Sequence, residues 1–419
     1  MTWIGLAFAL FAVAVWAVFM ALPARLRGYW LLAASVAFFA FEGPAAIVLV
    51  FLMVAWCWGM GHAIGRVDGR RPTAPVEVCN TDRTETRITE ELFHQSGRIV
   101  LALAVAGPLV LLAAGKYFDW GMGLLPALSR LGLHAPTWLA PLGMSYFVFR
   151  MVSYLADVAA KKIAPAGPLA LAGYVLFFPT LPAGPIERFA AFHPQAMAGR
   201  TPGLGDLRIG ATRIASGLFK KLVLSDFLLE MGKLLRDSDE LPTVWVWIAM
   251  YAYTLHIYID FSGYSDMAIG IARLFGIRIG ENFNWPYLRT NIADFWRHWH
   301  ITLTTFITEY IYYPLGGSRG GQVRAGVNTM IAMGLCGMWH GAGWHFIGWG
   351  LYHGAGLTIY RTWRKVRDAR GWHRPQSKGR KLLAWFATFH FVALGWVIFF
   401  LPVREALAVW RALLGLTGG

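Results

Sequence analysis

Apolar segments recur nearly from one end of this 419-residue chain to the other, and nothing else in the sequence constrains its fold as much. Only 15% of residues are charged and 57% are apolar, against about 25% charged in soluble domains. A backbone inside hydrocarbon must satisfy its own N–H and C=O groups, which leaves helices as the spanning structure for such segments. About 20 residues make one crossing. The candidate spans are 2–22, 29–41, 45–65, 99–118, 137–156, 168–183, 242–260, 262–277, 295–314, 326–338, 343–360 and 382–402. Segments 29–41 and 326–338 are too short to cross alone, so they read as re-entrant or partly buried, with protein or water covering their backbone. The expected fold is an all-α polytopic membrane protein of roughly 10–12 helices, forming one membrane domain over 1–419.

The formal charge of +15 raises the question of nucleic acid. The basic residues sit in short loops between apolar runs, which is the positive-inside pattern, and no folded polar domain carries a basic stripe; nucleic acid is excluded as a partner. Residues 361–381 hold nine Lys or Arg against the single acid Asp368, which marks them as a basic cytoplasmic loop. The 66–98 stretch, with Arg66, Arg70, Arg71, Arg83 and Arg87 among acids, reads as a cytoplasmic connector. Thr2–Leu22 has no basic residue before it, while Arg25 and Arg27 follow it. That order is the reverse of a signal peptide and predicts a first helix whose start faces outward. Residues 207–223 alternate apolar and basic faces at helical spacing, as in a helix lying in the interface. The three cysteines, Cys57, Cys79 and Cys336, make no disulfide framework or metal spacing.

Within this frame one stretch stands out, Leu335–Gly354. It sets His340 in a glycine-broken turn between two apolar segments, and an ionisable residue at such a position is a functional candidate. If 361–381 is cytoplasmic, 324–338 and 344–361 form a hairpin with Trp339–His345 at its tip. The 16 residues from Arg324 to His340 rise about 24 Å at helical pitch. In the preceding segment His300 lies 14 residues before Pro314, about 21 Å up by the same rise. The two histidines are therefore expected at similar depth. A neutral imidazole at position 340 can accept the proton of a hydroxyl nucleophile near neutral pH; the alternative is a histidine bonded to a carbonyl for packing.

The other polar residues read differently. His298 and His300, two apart on a helix, point about 200° away from each other, so His298 is structural and a zinc site with His340 and His345 is geometrically poor. No metal is expected. His345, His353 and His256 read as satisfied core histidines. Asp260, Ser262, Tyr264 and Asp266 form a polar island whose carboxylates need buried partners, for which Arg150, Arg273 and Arg297 are candidates. Glu281–Tyr287 reads as a fixed turn. The glycine-rich run 316–321 can wrap a phosphate with backbone N–H groups and Arg319, and a simple inter-helix turn explains it equally well.

The runs at 141–157, 177–189, 258–287, 294–317 and 338–354 together resemble the membrane-bound O-acyltransferases. They are most similar to the bacterial branch that holds the alginate O-acetylation membrane subunit and the teichoic-acid D-alanyl transfer protein, over about 29–415. The resemblance implies a helical fold around a membrane-crossing tunnel, in a bacterial cytoplasmic (inner) membrane. It makes His340 the catalytic histidine of the WHG motif and His300 the second functional histidine of the WRxWH motif. His340 is then the expected general base, and His300 the group that orients the acyl carbonyl. No cofactor is held permanently; the donor is a cytoplasmic acyl thioester, acetyl-CoA or an acyl-carrier phosphopantetheine, with a phosphate near Arg319. The implied partners are membrane lipid and an extracytoplasmic SGNH-type transferase or polysaccharide-synthesis complex. His298 stands where relatives carry Arg, Thr308-Glu309 replaces an Arg-Asp pair, and the chain ends without the extra C-terminal helices of longer relatives. Acetyl transfer is favoured over D-alanyl transfer. A transporter whose histidines relay protons and a scaffold for a secreted polysaccharide complex are the rival classes.

Overall fold

A computed structural model describes residues 5–67, 95–125, 130, 132–372 and 377–416. In chain order its helices are α1 (Leu6–Ala21), α2 (Ala24–Phe39), α3 (Pro44–Val67), α4 (Gln95–Leu124), α5 (Met144–Ala159), α6 (Pro168–Leu176), α7 (Phe189–Ala198), α8 (Leu204–Phe219), α9 (Asp226–Lys233) and α10 (Thr243–Leu274). There follow α11 (Ile292–His298), α12 (Ile301–Ile307), α13 (Gly321–His340), α14 (Trp344–Ala369), α15 (Lys378–Phe400) and α16 (Val403–Leu413). Among the described residues the only β-pairing is an isolated antiparallel bridge between Phe283 and Trp299. Pro44–Val67, Arg98–Leu124, Thr137–Ala159 and Lys378–Phe400 are long and apolar enough to cross a membrane, and Leu6–Ala21 and Pro168–Thr180 are shorter apolar helices. This is the expected polytopic all-α protein.

Several boundaries differ from the sequence expectation. Spans 242–260 and 262–277 are one helix, α10. Gly263 does not break it; a Cβ there would come within 2.9 Å of the Gly217 carbonyl, so the glycine serves close packing instead. Segment 295–314 is no continuous span, because the chain turns at Trp299 and His300 between α11 and α12 and continues in a π turn over Thr308–Tyr312. The basic run 361–381 is mostly not a loop: α14 continues to Ala369 and α15 begins at Lys378, since Lys and Arg are good helix formers. The connector at 66–98, with Cys79, lies largely outside the described residues.

By contacts the chain falls into two units, Met1–Ala215 with Ser265–Gly280, and Ser216–Tyr264 with Glu281–Gly419. In the first, Arg150 of α5 is 1% exposed. Its guanidinium donates to the carbonyls of Tyr174, Val175 and Thr180 at 3.2, 3.0 and 2.9 Å and to Thr180 Oγ1 at 2.5 Å. It thus satisfies the orphan carbonyls at the end of α6, which Pro168 starts at its first turn. Arg150→Met strands those acceptors inside the unit, and a loss of at least about 3 kcal/mol is expected. Thermal unfolding in detergent measures it.

The carboxylates of the polar island are paired, though not by the expected arginines. Asp266 binds Arg213 and Asp260 binds Lys221, both from the basic helix at 207–223. Arg273 instead pairs with Asp206 at 3.1 Å, Arg297 lies 3.9 Å from Asp294, and Arg150 is committed to carbonyls. In the second unit Ser225 Oγ donates to Asp260 Oδ1 at 2.7 Å and lies 3.1 Å from His256 Nδ1. The π turn over Lys220–Ser225 sets Lys221 and Ser225 on the same side. The basic face therefore packs on α10, a structural role.

Candidate active site

The second unit contains both candidate histidines. Asn291 caps α11, its side chain accepting from Asp294 N at 2.9 Å, and the helix ends at His298. Trp299 is extended, with φ −108° and ψ 126°. His300 follows in the left-handed region, φ +40° and ψ +56°. That conformation is uncommon for any residue but glycine, and persists where surrounding contacts enforce it. The enforcing contacts come from the turn at 281–287. Ile301 N donates to Asn282 O at 2.9 Å, Asn284 N donates to His298 O at 3.1 Å, and Phe283 bridges Trp299. Thr304 N closes the first turn of α12 onto His300 O at 2.9 Å.

Asn282 also grips the side chains. Its Oδ1 accepts from Thr302 Oγ1 at 2.7 Å and from Thr302 N at 3.4 Å, and lies 3.3 Å from His300 Nδ1. Asn282 is fully buried and His300 is 1% exposed. The other ring nitrogen, His300 Nε2, is buried with no hydrogen-bond partner in the protein.

His340 reaches the same place from the α13–α14 hairpin. The two helices approach closely because glycines line the contact: a Cβ on Gly337 would come within 2.1 Å of Phe346 O, and one on Gly350 within 2.2 Å of Met333 O. His340 ends α13, and Gly341 and Gly343 are extended before α14 begins at Trp344. The half-buried His340 ring contacts Trp339, Trp349 and Phe399 at centroid distances of 4.6, 5.1 and 5.0 Å. Trp339 also contacts His300, edge to face, at 6.1 Å. One indole therefore touches both imidazoles. The expected convergence of the two histidines is present in the structure.

The remaining candidates are not gathered there. His298 has no such role: its Nδ1 lies 2.7 Å from Asp294 O, and the helix ends at His298, so it and His300 do not share one helix as their spacing predicts. His345 packs on Phe346 at 4.1 Å. His256 is satisfied by Ser225, as expected. His353 is buried but not satisfied; neither ring nitrogen has a hydrogen-bond partner, and the ring sits among Trp296, Trp349 and Phe391 at 5.2, 5.0 and 5.7 Å. Arg319 is exposed in a turn whose glycines at 316, 317, 320 and 321 all have positive φ. The amides of Gly316, Gly317 and Arg319 donate to chain carbonyls, so they form no phosphate cradle. The helix that separates this turn from His340 is about 30 Å long. Asn282 was not foreseen: it sits 18 positions before His300, and only the folded turn brings them together.

Comparison with known proteins covers most of this architecture. The family model described as MBOAT, membrane-bound O-acyltransferase family, matches residues 136–391, which include both histidines. A probable alginate O-acetylase of Azotobacter vinelandii is 35% identical over 90% of this chain and 70% of its own. A peptidoglycan O-acetyltransferase of Helicobacter pylori is 33% identical over 77% of this chain and 66% of its own. A teichoic acid D-alanyltransferase of Bacillus subtilis is 29% identical over 65% of this chain and 72% of its own.

Proposed function

Because the chain belongs to the membrane-bound O-acyltransferase family, and is thus a multi-pass membrane acyltransferase, we propose that it moves an acetyl group from a cytoplasmic thioester across the membrane to a hydroxyl. The observation that carries this reading is the meeting of His300 and His340 on Trp339. Two imidazoles at one point supply what hydroxyl attack on a thioester needs, an acceptor for the hydroxyl proton and a partner for the charge that grows on the carbonyl oxygen. The aromatic walls keep water from competing and strengthen both interactions.

The hydroxyl belongs to an extracytoplasmic polysaccharide, or to a serine of an SGNH-type partner that passes the group on. The alginate and peptidoglycan O-acetylating relatives support an envelope polysaccharide as final acceptor. The teichoic acid relative supports a second reading, D-alanyl transfer from a carrier protein. The protein sits in the bacterial inner membrane with its N-terminus outside, and the basic residues between Arg361 and Lys381 face the cytoplasm. Arg319 contacts only the distal, phosphate-bearing end of the donor.

Purified protein in vesicles, given labelled acetyl-CoA or labelled D-alanyl carrier protein and an alginate oligosaccharide or lipoteichoic acid, tests the reading. Covalent label on the alginate from acetyl-CoA is the expected result. Label on lipoteichoic acid from the carrier protein moves the assignment to D-alanyl transfer. Passage of donor or glycan with no covalent product makes the protein a transporter.

A further inference from the structure

The Asn282–His300 pair determines which nitrogen of His300 is available for chemistry. At most asparagines the oxygen and nitrogen of the amide are assigned from their surroundings, and histidine tautomers likewise. Here one neighbour is unambiguous. The backbone N–H of Thr302 can only donate, and it points at Asn282 Oδ1. The atom facing it is therefore the amide oxygen, an acceptor only. Thr302 Oγ1 donates to the same oxygen at 2.7 Å. His300 Nδ1, 3.3 Å from that oxygen, must then carry a proton and donate it. In the neutral ring a protonated Nδ1 leaves Nε2 with a bare lone pair. That Nε2 is the buried nitrogen with no protein partner.

We propose that Asn282 is a positioning residue that holds His300 as its Nδ1–H tautomer, so that Nε2 is the acceptor for the hydroxyl entering the site. A neutral ring in this tautomer has nothing at Nε2 to donate to an acyl oxygen, which reverses the division of labour expected from the sequence. The hydroxyl proton passes to His300 Nε2 as its oxygen bonds to the thioester carbonyl carbon. The carbon–sulfur bond then breaks with its electron pair leaving on sulfur, and the proton returns from Nε2 to the thiolate. His300 ends as it began. His340, whose ring also contacts Trp339, meets the carbonyl oxygen. Three features make the tautomer durable: the burial of Asn282, the second and third donors on its Oδ1, and the left-handed backbone of His300 fixed by the 281–287 turn.

This rests on the acyl-transfer reading, and two separate readouts keep the two apart. The first is the ¹⁵N NMR spectrum of the full-length protein, labelled at histidine and held in lipid nanodiscs, with His300 assigned by its loss in His300→Gln. The expected spectrum has His300 protonated at Nδ1 and bare at Nε2, and Asn282→Ala gives a mixture of tautomers. The second is turnover of acetyl-CoA with alginate oligosaccharide. Asn282→Ala is expected to lower kcat by at least about tenfold with little change in KM, and Asn282→Asp, which keeps the acceptor oxygen, to recover most of it. A wild-type His300 protonated at Nε2 overturns the proposal, as does an Asn282→Ala protein with unchanged tautomer and kcat. If Asn282→Ala does not fold, the wild-type spectrum decides alone. If the spectrum is as expected but no acetyl-CoA turns over, the tautomer stands and the acyl-transfer reading fails.

Discussion

Alanine at position 340 is expected to lower acyl transfer by about a hundredfold to a thousandfold, the range lost with one group that meets a developing oxyanion, while the protein stays folded. His340 is half-buried at the end of α13, and its ring contacts are to Trp339, Trp349 and Phe399, of which Trp349 keeps Trp396 and His353 as neighbours at 5.4 and 5.0 Å. Loss of the imidazole therefore removes chemistry more than packing. His345→Ala, five residues on and packed on Phe346, is the matched control and is expected to retain transfer. Rates of labelled acyl transfer, with thermal unfolding of each variant alongside, check both statements. A His340→Ala protein that transfers at the wild-type rate removes His340 from the chemistry.

Valine at position 350 is expected to do the opposite, disrupting the fold and with it the site. The first carbon of any side chain there would come within 2.2 Å of Met333 O, and the facing Gly337 leaves no more room. Neither atom is a flexible side-chain end, so the α13–α14 hairpin must part along its length. Overpacking typically costs 1–3 kcal/mol where side chains can shift, and a backbone clash sits at or above the top of that range. Gly348 lies on the same helix, but a Cβ there meets only Ile398 and Val403 at 3.8 Å, ordinary contact. Gly348→Ala is expected to remain monodisperse on size exclusion, and Gly350→Val to lose most of its folded fraction.

Periodicity and charge predicted the hairpin with Trp339–His345 at its tip, because apolar runs bounded by Arg324 and the 361–381 cluster leave few ways to fold. The convergence of His300 and His340 follows from helical rise together with the side assigned to the basic 361–381 cluster, and it holds although the segment with His300 is not one helix. Nothing near position 300 in the sequence announces a left-handed residue, since the turn at 281–287 enforces it from a distance. The pairing of Asp260 and Asp266 with Lys221 and Arg213 was hidden for a related reason. The sequence shows that buried carboxylates need cations, but the choice among several arginines depends on which helix packs on α10. The spans 242–260 and 262–277 form one helix, in which Gly263 marks a close helix approach that apolar run lengths do not reveal. Asn282 was the largest omission, because a lone asparagine in a turn has no pattern of its own and gains meaning only from Thr302 and His300 meeting on its Oδ1.

In the proposed function the acyl group itself crosses the membrane through the site formed by His300 and His340. Proteoliposomes of defined orientation, with labelled acetyl-CoA confined to the cytoplasmic-facing side and alginate oligosaccharide confined to the other, measure this directly. The expected result is acetylated oligosaccharide on the far side, free thiol on the near side in equal amount, and neither with His340→Ala. Labelled oligosaccharide formed only when donor and acceptor share one side, or intact acetyl-CoA recovered on the far side, would contradict it.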